Sequence, residues 1–422
     1  MQALQQLALV WVVVLAAAGV ARHTKLTPVL YLLAGGAILV NAGLLPETPH
    51  EFVRGLAELG ILLIMFAIGF DEQIEHFLAN VRRSWGIALF GALGPFAVTY
   101  LVVWWYWQDD LVALVCGLAM ASTAVSLSLV ALRSEGLGRS VVATRIMTSA
   151  VLDHIGSLVL VAIVIPIALS ADQGLPSAGQ LLLILFKASC FFGLVTLLGA
   201  VVFPHHRLHH GSHGAEQKKW WPSLRGLLQF QNGEYATLVV LLLALVIGLL
   251  AHGFGFHPAI GAYMAGLLLK EEYFADDDNR PLYAEVQRTV NNVAFAWIGP
   301  VFFVLLGSKL VFDWQIFIAV IVQTMSLTAA IMLAQVGCAY VAARYIGTLP
   351  HAASLMVGFG MLGRAELAFV VMDIAYVQHQ LISEAVFYTL MFTAFWLNVS
   401  VPIAIRWWKP RYLAAELKAQ HV

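Results

Sequence analysis

Long apolar runs parted by short polar stretches recur along nearly the whole chain. They lie at Ala3 to Ala21, Thr27 to Leu44, Gly55 to Phe70, Ser84 to Tyr106, Leu111 to Leu132, Ser140 to Leu169, Ala178 to Phe203, Tyr235 to Ala251, His257 to Leu269, Val293 to Leu310, Ile316 to Tyr345, Ala352 to Val377 and Ile382 to Trp407. An α-helix rising about 1.5 Å per residue needs roughly 20 residues to cross about 30 Å of hydrocarbon, and most of these runs are of that order. The pattern predicts an all-α polytopic membrane protein of about thirteen transmembrane helices. Between Asp71 and Arg83, Ile74, Phe77, Leu78 and Val81 alternate with polar residues, which predicts a further helix lying on the membrane interface.

The polar stretches carry an asymmetry of their own. Alternate connections hold Arg22 and Lys25, then Arg82 and Arg83, Arg133 and Arg139, Arg207, Lys218, Lys219 and Arg225, Lys270, Arg280 and Arg288, Arg344, and finally Arg406, Lys409, Arg411 and Lys418. The opposite connections hold only Arg54 and, at a helix end, Lys309. Because cytoplasmic loops collect Lys and Arg, the N-terminus is expected outside and the C-terminus in the cytoplasm. Trp104, Trp105, Trp220, Trp221, Trp407 and Trp408 sit at segment ends, where an aromatic belt would place them. Residues 1–411 read as one membrane unit and 412–422 as a short cytoplasmic tail.

Composition removes several function classes. The chain is 61% hydrophobic and 11% charged, against about 25% charged in soluble domains, and its formal net charge of −1 offers no basic field for nucleic acid. Cys116, Cys190 and Cys338 lie in separate apolar runs without zinc or C-x-x-C spacing. The connection from Pro204 to Gly233 carries His205, His206, His209, His210 and His213; Gly and Ser interruptions favour a solvated interfacial loop over a metal site. No hydroxyl or thiol has a recognisable base and orienter around it, so neither an enzyme nor a cofactor is expected.

Three polar clusters interrupt the apolar runs. Ser122, Thr123, Ser126 and Ser128 bring hydroxyls into the fifth run; each could bond back to a carbonyl one turn earlier, but together they suggest an opened helix facing a cavity. Asp153 and His154 stand side by side in the sixth, where an ionisable residue costs several kcal/mol and marks function by default. Gly358, Gly360 and Gly363 precede Arg364 and Glu366 in the twelfth, where the two charges can neutralise each other and the partial charges of broken helix ends. Two interrupted helices in opposite halves of a membrane chain point to an inverted-repeat transporter with its site near the midplane.

In family order over the whole chain stand Thr27-Pro-Val-Leu-Tyr-Leu-Leu-Ala-Gly-Gly, Leu59-Gly-Ile-Leu-Leu-Ile-Met-Phe-Ala-Ile-Gly-Phe, Ser122-Thr-Ala, Gly138-Arg with the Asp153 helix, Phe256-His-Pro-Ala-Ile-Gly-Ala-Tyr-Met-Ala-Gly, Gly299-Pro-Val-Phe-Phe-Val-Leu-Leu-Gly and Gly363-Arg-Ala-Glu-Leu-Ala-Phe-Val-Val. In these the chain resembles the transmembrane unit of the monovalent cation/proton antiporter superfamily, in the branch of glutathione-gated potassium efflux proteins and bacterial sodium/proton exchangers. The resemblance implies the Na⁺/H⁺ antiporter fold in a bacterial inner membrane: a homodimer with dimerisation and core parts, two broken helices crossing in the core. It implies exchange of Na⁺ or K⁺ for protons by alternating access. The family's sixth helix usually presents Asp-Asp, Asn-Asp or Gln-Asp, the second residue binding the cation; here Asp153 takes the first place and His154 the second.

Neutral imidazole is a poor ligand for such ions and imidazolium repels them, so either Asp153 takes over cation and proton binding with His154 as a nearby proton partner, or the protein transports something else; the first is the leading expectation. Ser122 and Thr123 with nearby carbonyls would complete the ligands, and Arg364 with Glu366 would support the crossing. The basic residue that electrogenic relatives carry on the eleventh helix is not evident; that run offers Gln323 and Gln335. Two other readings remain open at this point, a pH-responsive sensor or partner subunit on the same scaffold and a passive ion channel.

Overall fold

A computed structural model describes residues 2–24, 26–71, 74–138, 140–170, 178–202, 224–274, 282–311, 313–364 and 366–420. The histidine run 205–213 and Trp220 and Trp221 lie outside the described residues. In chain order the helices are α1 (Gln2–Thr24), α2 (Pro28–Asn41), α3 (Glu51–Asp71), α4 (Ile74–Trp107), α5 (Asp110–Ala121), α6 (Val125–Ser134), α7 (Val141–Ser170), α8 (Ala178–Val202), α9 (Leu224–Leu228), α10 (Ala236–Gly253), α11 (Pro258–Leu268), α12 (Leu282–Asn292), α13 (Gly299–Gly307), α14 (Trp314–Tyr345), α15 (His351–Gly360), α16 (Glu366–Met372) and α17 (Glu384–Gln420). Among the described residues, eight helices are long and apolar enough to cross a membrane alone, and α2, α5 and α11 are shorter apolar helices. Large apolar side chains point outward from them: Leu15 is 75% exposed and Leu333 77%. Such faces suit lipid, which asks only that backbone polar groups be satisfied within the helix.

The boundaries differ from the hydropathy reading in three places. The stretch expected as a separate interfacial helix is continuous with the fourth span as α4. The tenth run is prolonged toward its N-terminus by α12, whose polar residues hide it from a hydropathy scan while Val286 and Val290 are buried. A π-helical stretch, Val293–Trp297, joins α12 toward α13. The tail from residue 412 is helical as far as Gln420.

The chain divides into two compact units. One comprises Met1–Arg54, Ile74–Ser177 and Phe303–Val422; the other comprises Gly55–Gln73 and Ala178–Phe302. In the first unit α4 packs against α5, α7 and α14, α14 against α15 and α17, and α5 against α16. Polar contacts at the helix ends and connections of this unit fall into two sets. Lys309 Nζ donates to the Glu47 carbonyl at 3.0 Å and Asn41 Nδ2 to the Leu310 carbonyl at 2.8 Å, while the Tyr388 hydroxyl donates to the Val311 carbonyl. The other set of connections meets separately: Lys409 Nζ pairs with Glu135 at 3.0 Å, and Trp408 Nε1 donates to the Ala352 carbonyl at 2.9 Å.

In the second unit α10 packs on α11, and α3 and α11 approach backbone to backbone. A Cβ at Gly69 would run into the Tyr263 carbonyl, and one at Gly266 into the Phe66 carbonyl. Only glycine permits that separation. Gly266→Leu is therefore expected to cost up to about 3 kcal/mol by overpacking, read as a lowered melting temperature in detergent; a variant melting with the wild-type protein would mean that the helices separate freely.

Candidate functional site

Asp109 starts α5 as its N-cap, accepting from the amides of Leu111 at 2.9 Å and Val112 at 3.0 Å. The helix stops at Ala121 because Ser122 turns to an extended backbone, φ −76° and ψ 139°. Thr123 then forms an isolated antiparallel bridge with Arg364, and the Ala124 amide donates to the Gly363 carbonyl at 2.9 Å. The partner segment is the break between α15 and α16. Gly363 permits the meeting, since a Cβ there would press on Asn398 Oδ1 at 3.1 Å, Leu127 at 3.1 Å and Ala124 at 3.2 Å. The two interruptions read from the sequence thus touch each other, in one compact unit.

At such a meeting the ends of α5 and α15 present carbonyls and the starts of α6 and α16 present N–H groups, so partial charges of both signs converge. The Ser128 hydroxyl ties two of these pieces, donating to the Ala124 carbonyl at 2.8 Å and reaching the Gly360 carbonyl as well. Ser128 therefore follows the back-bonding alternative and holds α6 against the end of α15. Ser126 has no described side chain.

Asp153, on α7, faces the opened segment and is 3% exposed. Its Oδ2 accepts from the Thr123 amide at 2.7 Å and from the Thr123 hydroxyl at 2.8 Å. These donors suit a carboxylate next to a helix start, as an anion is held at a helix N-terminus. Among the described residues, Oδ1 is engaged loosely, by Ser157 Oγ at 3.5 Å. His154 also reaches Thr123: its Nε2 lies 3.2 Å from the Thr123 carbonyl oxygen. Neighbouring helix positions differ by about 100°, yet both side chains converge on one residue because that residue is extended and offers N–H, hydroxyl and carbonyl in different directions. Ser122 Oγ is buried with no hydrogen-bond partner among the described residues.

Arg364 is placed differently from expectation. It makes no ion pair with Glu366 among the described residues; both terminal nitrogens of its guanidinium donate to Gln335 Oε1 on α14, at 3.2 Å and 3.1 Å, and one also reaches the Gly363 carbonyl at 3.4 Å. Its backbone amide donates to Asn398 Oδ1 on α17 at 2.9 Å. The Arg364 guanidinium also lies near enough to Asp153 for their charges to interact. The break itself separates them: Arg364 lies in the bridged link and Glu366 begins α16, so the two do not share a helix face. Ser157 and Asn398 join the site from outside the residues first singled out, and Gln335, which the eleventh run offers in place of a basic residue, joins it as the partner of Arg364. Ser157 stands one helical turn after Asp153, a spacing visible in the sequence; Asn398 shows only as a polar residue in an apolar run.

The sodium/hydrogen exchanger transmembrane family matches residues 10–408. The chain belongs to that family. A Na⁺/H⁺ antiporter of Enterococcus hirae is 24% identical over 94% of this chain and 95% of its own length. The Na⁺/H⁺-K⁺ antiporter GerN of Bacillus cereus is 24% identical over 76% of this chain and 74% of its own. Among solved structures, the sodium proton antiporter MjNhaP1 from Methanocaldococcus jannaschii superposes with a TM-score of 0.71 at 14% identity, covering 97% of this chain and 98% of that one, so the fold is shared. Family membership and the apolar helices make this an integral membrane protein of a transporter family.

Within this candidate site the hydroxyl of Thr123 is the smallest part that can be removed cleanly. Thr123→Val keeps the shape and the backbone donor but deletes one of the two hydrogen bonds to Asp153 Oδ2. A hydrogen bond to a charged group contributes roughly 1.5–3 kcal/mol, so activity that depends on the Asp153 carboxylate is expected to fall by about tenfold to a hundredfold. A melting temperature near the wild type would show that the loss is local; unchanged activity would remove Thr123 Oγ from the site.

Proposed function

We propose that the protein is a secondary active antiporter that exchanges a monovalent cation, Na⁺ or K⁺, for protons by alternating access. One observation carries the reading: the buried carboxylate of Asp153 is held at the point where two broken helices meet. A carboxylate holds either a proton or a hard cation, and that competition is the simplest basis of exchange. Asp153 Oδ1 is the ligand and proton carrier, Ser122 Oγ and groups of Thr123 supply further oxygens, and His154 stands beside them. Arg364 supports the crossing electrostatically, through Gln335 and Asn398 rather than through Glu366. Family membership and the similarity to the Na⁺/H⁺ antiporter of Enterococcus hirae and the Na⁺/H⁺-K⁺ antiporter of Bacillus cereus support the substrate class.

The division of the chain into two compact units supports a two-part transmembrane unit over residues 1–411. The protein works as a homodimer in a bacterial inner membrane, with the N-terminus outside and the C-terminal tail in the cytoplasm; the Lys and Arg asymmetry supports this orientation. The experiment is reconstitution in proteoliposomes with an imposed pH gradient and addition of Na⁺, K⁺ or Li⁺. Saturable, cation-dependent proton movement is expected. Cation flux that persists without proton counter-movement would make the protein a channel, and absence of both flux and pH-competitive cation binding would leave a sensor or partner subunit.

A further inference from the structure

His154 and Asp153 offer a cation opposite things. A carbonyl oxygen only accepts, so a hydrogen bond across the 3.2 Å contact between His154 Nε2 and Thr123 O needs the proton on Nε2, which both the Nε2–H tautomer and the imidazolium supply. The oxygen so engaged belongs to the residue whose amide and hydroxyl hold Asp153, in the non-helical link that follows Ala121. Backbone carbonyls freed by broken helices are the oxygens that dehydrate alkali cations. His154 is 7% exposed, and it stands on α7, which packs against both halves of the broken pair α5 and α6.

We infer that His154 is an affinity-setting residue of the exchanger, an N–H donor tethered to the Thr123 carbonyl that withholds this oxygen from the transported cation until the contact breaks. The inference rests on the antiport reading, and it assigns the imidazole no coordinating role. Asp153 and Ser122 can engage a cation while the contact stands; the Thr123 carbonyl joins them only when the ring moves off. The ring thus weakens cation binding in the resting state, which distinguishes it from a ligand and from a packing residue: removing either of those lowers affinity, whereas removing a tether raises it.

The test compares His154→Ala, which deletes the donor, with His154→Gln, whose longer amide keeps an N–H within reach of the same carbonyl. Cation-dependent proton movement is measured in proteoliposomes at one alkaline pH over a series of Na⁺ and of K⁺ concentrations. The expected result is a KM about tenfold lower for His154→Ala, corresponding to about 1.4 kcal/mol, with His154→Gln near the wild-type value. A KM unchanged or raised in His154→Ala overturns the inference while leaving antiport intact in the wild-type protein. If His154→Ala does not fold, His154→Asn replaces it, because the shorter amide falls short of the carbonyl and predicts the same fall in KM. Lack of exchange by the wild-type protein with Na⁺, K⁺ and Li⁺ would instead remove the antiport reading; exchange appearing only after His154→Ala would support the tether and remove that reading for the native chain alone.

Discussion

Asp153→Asn is expected to abolish cation-dependent proton movement while the protein still folds and inserts. The carboxamide has the shape of the carboxyl group, and its oxygen can accept from the Thr123 amide and hydroxyl as Asp153 Oδ2 does at 2.7 Å and 2.8 Å. The link between α5 and α6 therefore keeps its anchor, and the melting temperature in detergent should stay within a few degrees of wild type. What disappears is the charge. At an effective dielectric near 20, two unit charges about 4 Å apart attract by about 4 kcal/mol, close to a thousandfold in affinity. The carboxamide also has no proton to release in exchange. Proteoliposomes carrying the variant should show only the leak of empty vesicles under an imposed pH gradient. Near-normal exchange by a folded Asp153→Asn protein would sink the assignment of Asp153 as cation and proton carrier.

The same residues show how far a sequence alone reaches. Hydroxyls gathered at Ser122 to Ser128 and glycines at 358, 360 and 363 mark the two breaks because each weakens a helix locally, and local causes are legible in one dimension. Asp153 stands out because an ionisable group in an apolar run has no bland explanation. The partner of Arg364 was not legible. Glu366 is two positions away and of opposite charge, but once the helix opens there, proximity in sequence no longer means a shared face. Gln335 and Asn398 reach Arg364 from helices 29 and 34 positions away, and nothing in either run announces the pairing. Polarity misled in the same way at α12, where buried Val286 and Val290 alternate with residues that a hydropathy scan reads as loop. The convergence of Asp153 and His154 on Thr123 likewise depends on the extended backbone of one residue, which no helical periodicity describes.

Arg364 should be the most damaging single position outside Asp153. Arg364→Met removes both donors to Gln335 Oε1 and leaves that acceptor buried without its partner, a loss of roughly 1–3 kcal/mol. It also removes a positive charge that interacts with Asp153, so the carboxylate must then form at depth without that compensation. Exchange is expected to fall at least a hundredfold, together with a lowered melting temperature. Arg364→Lys separates charge from shape. The ammonium restores a positive charge but is a single point rather than a planar fork, so it cannot offer two parallel donors to Gln335 Oε1 while also reaching the Gly363 carbonyl. The Arg364 backbone amide still donates to Asn398 Oδ1, which keeps the link in place and the melting temperature closer to wild type. Exchange by Arg364→Lys should therefore lie between the two, down by about tenfold, if charge is the larger contribution. If Arg364→Lys is as inactive as Arg364→Met while folding better, the fork on Gln335 matters more than the charge, and the coupling of Arg364 to Asp153 has no functional weight.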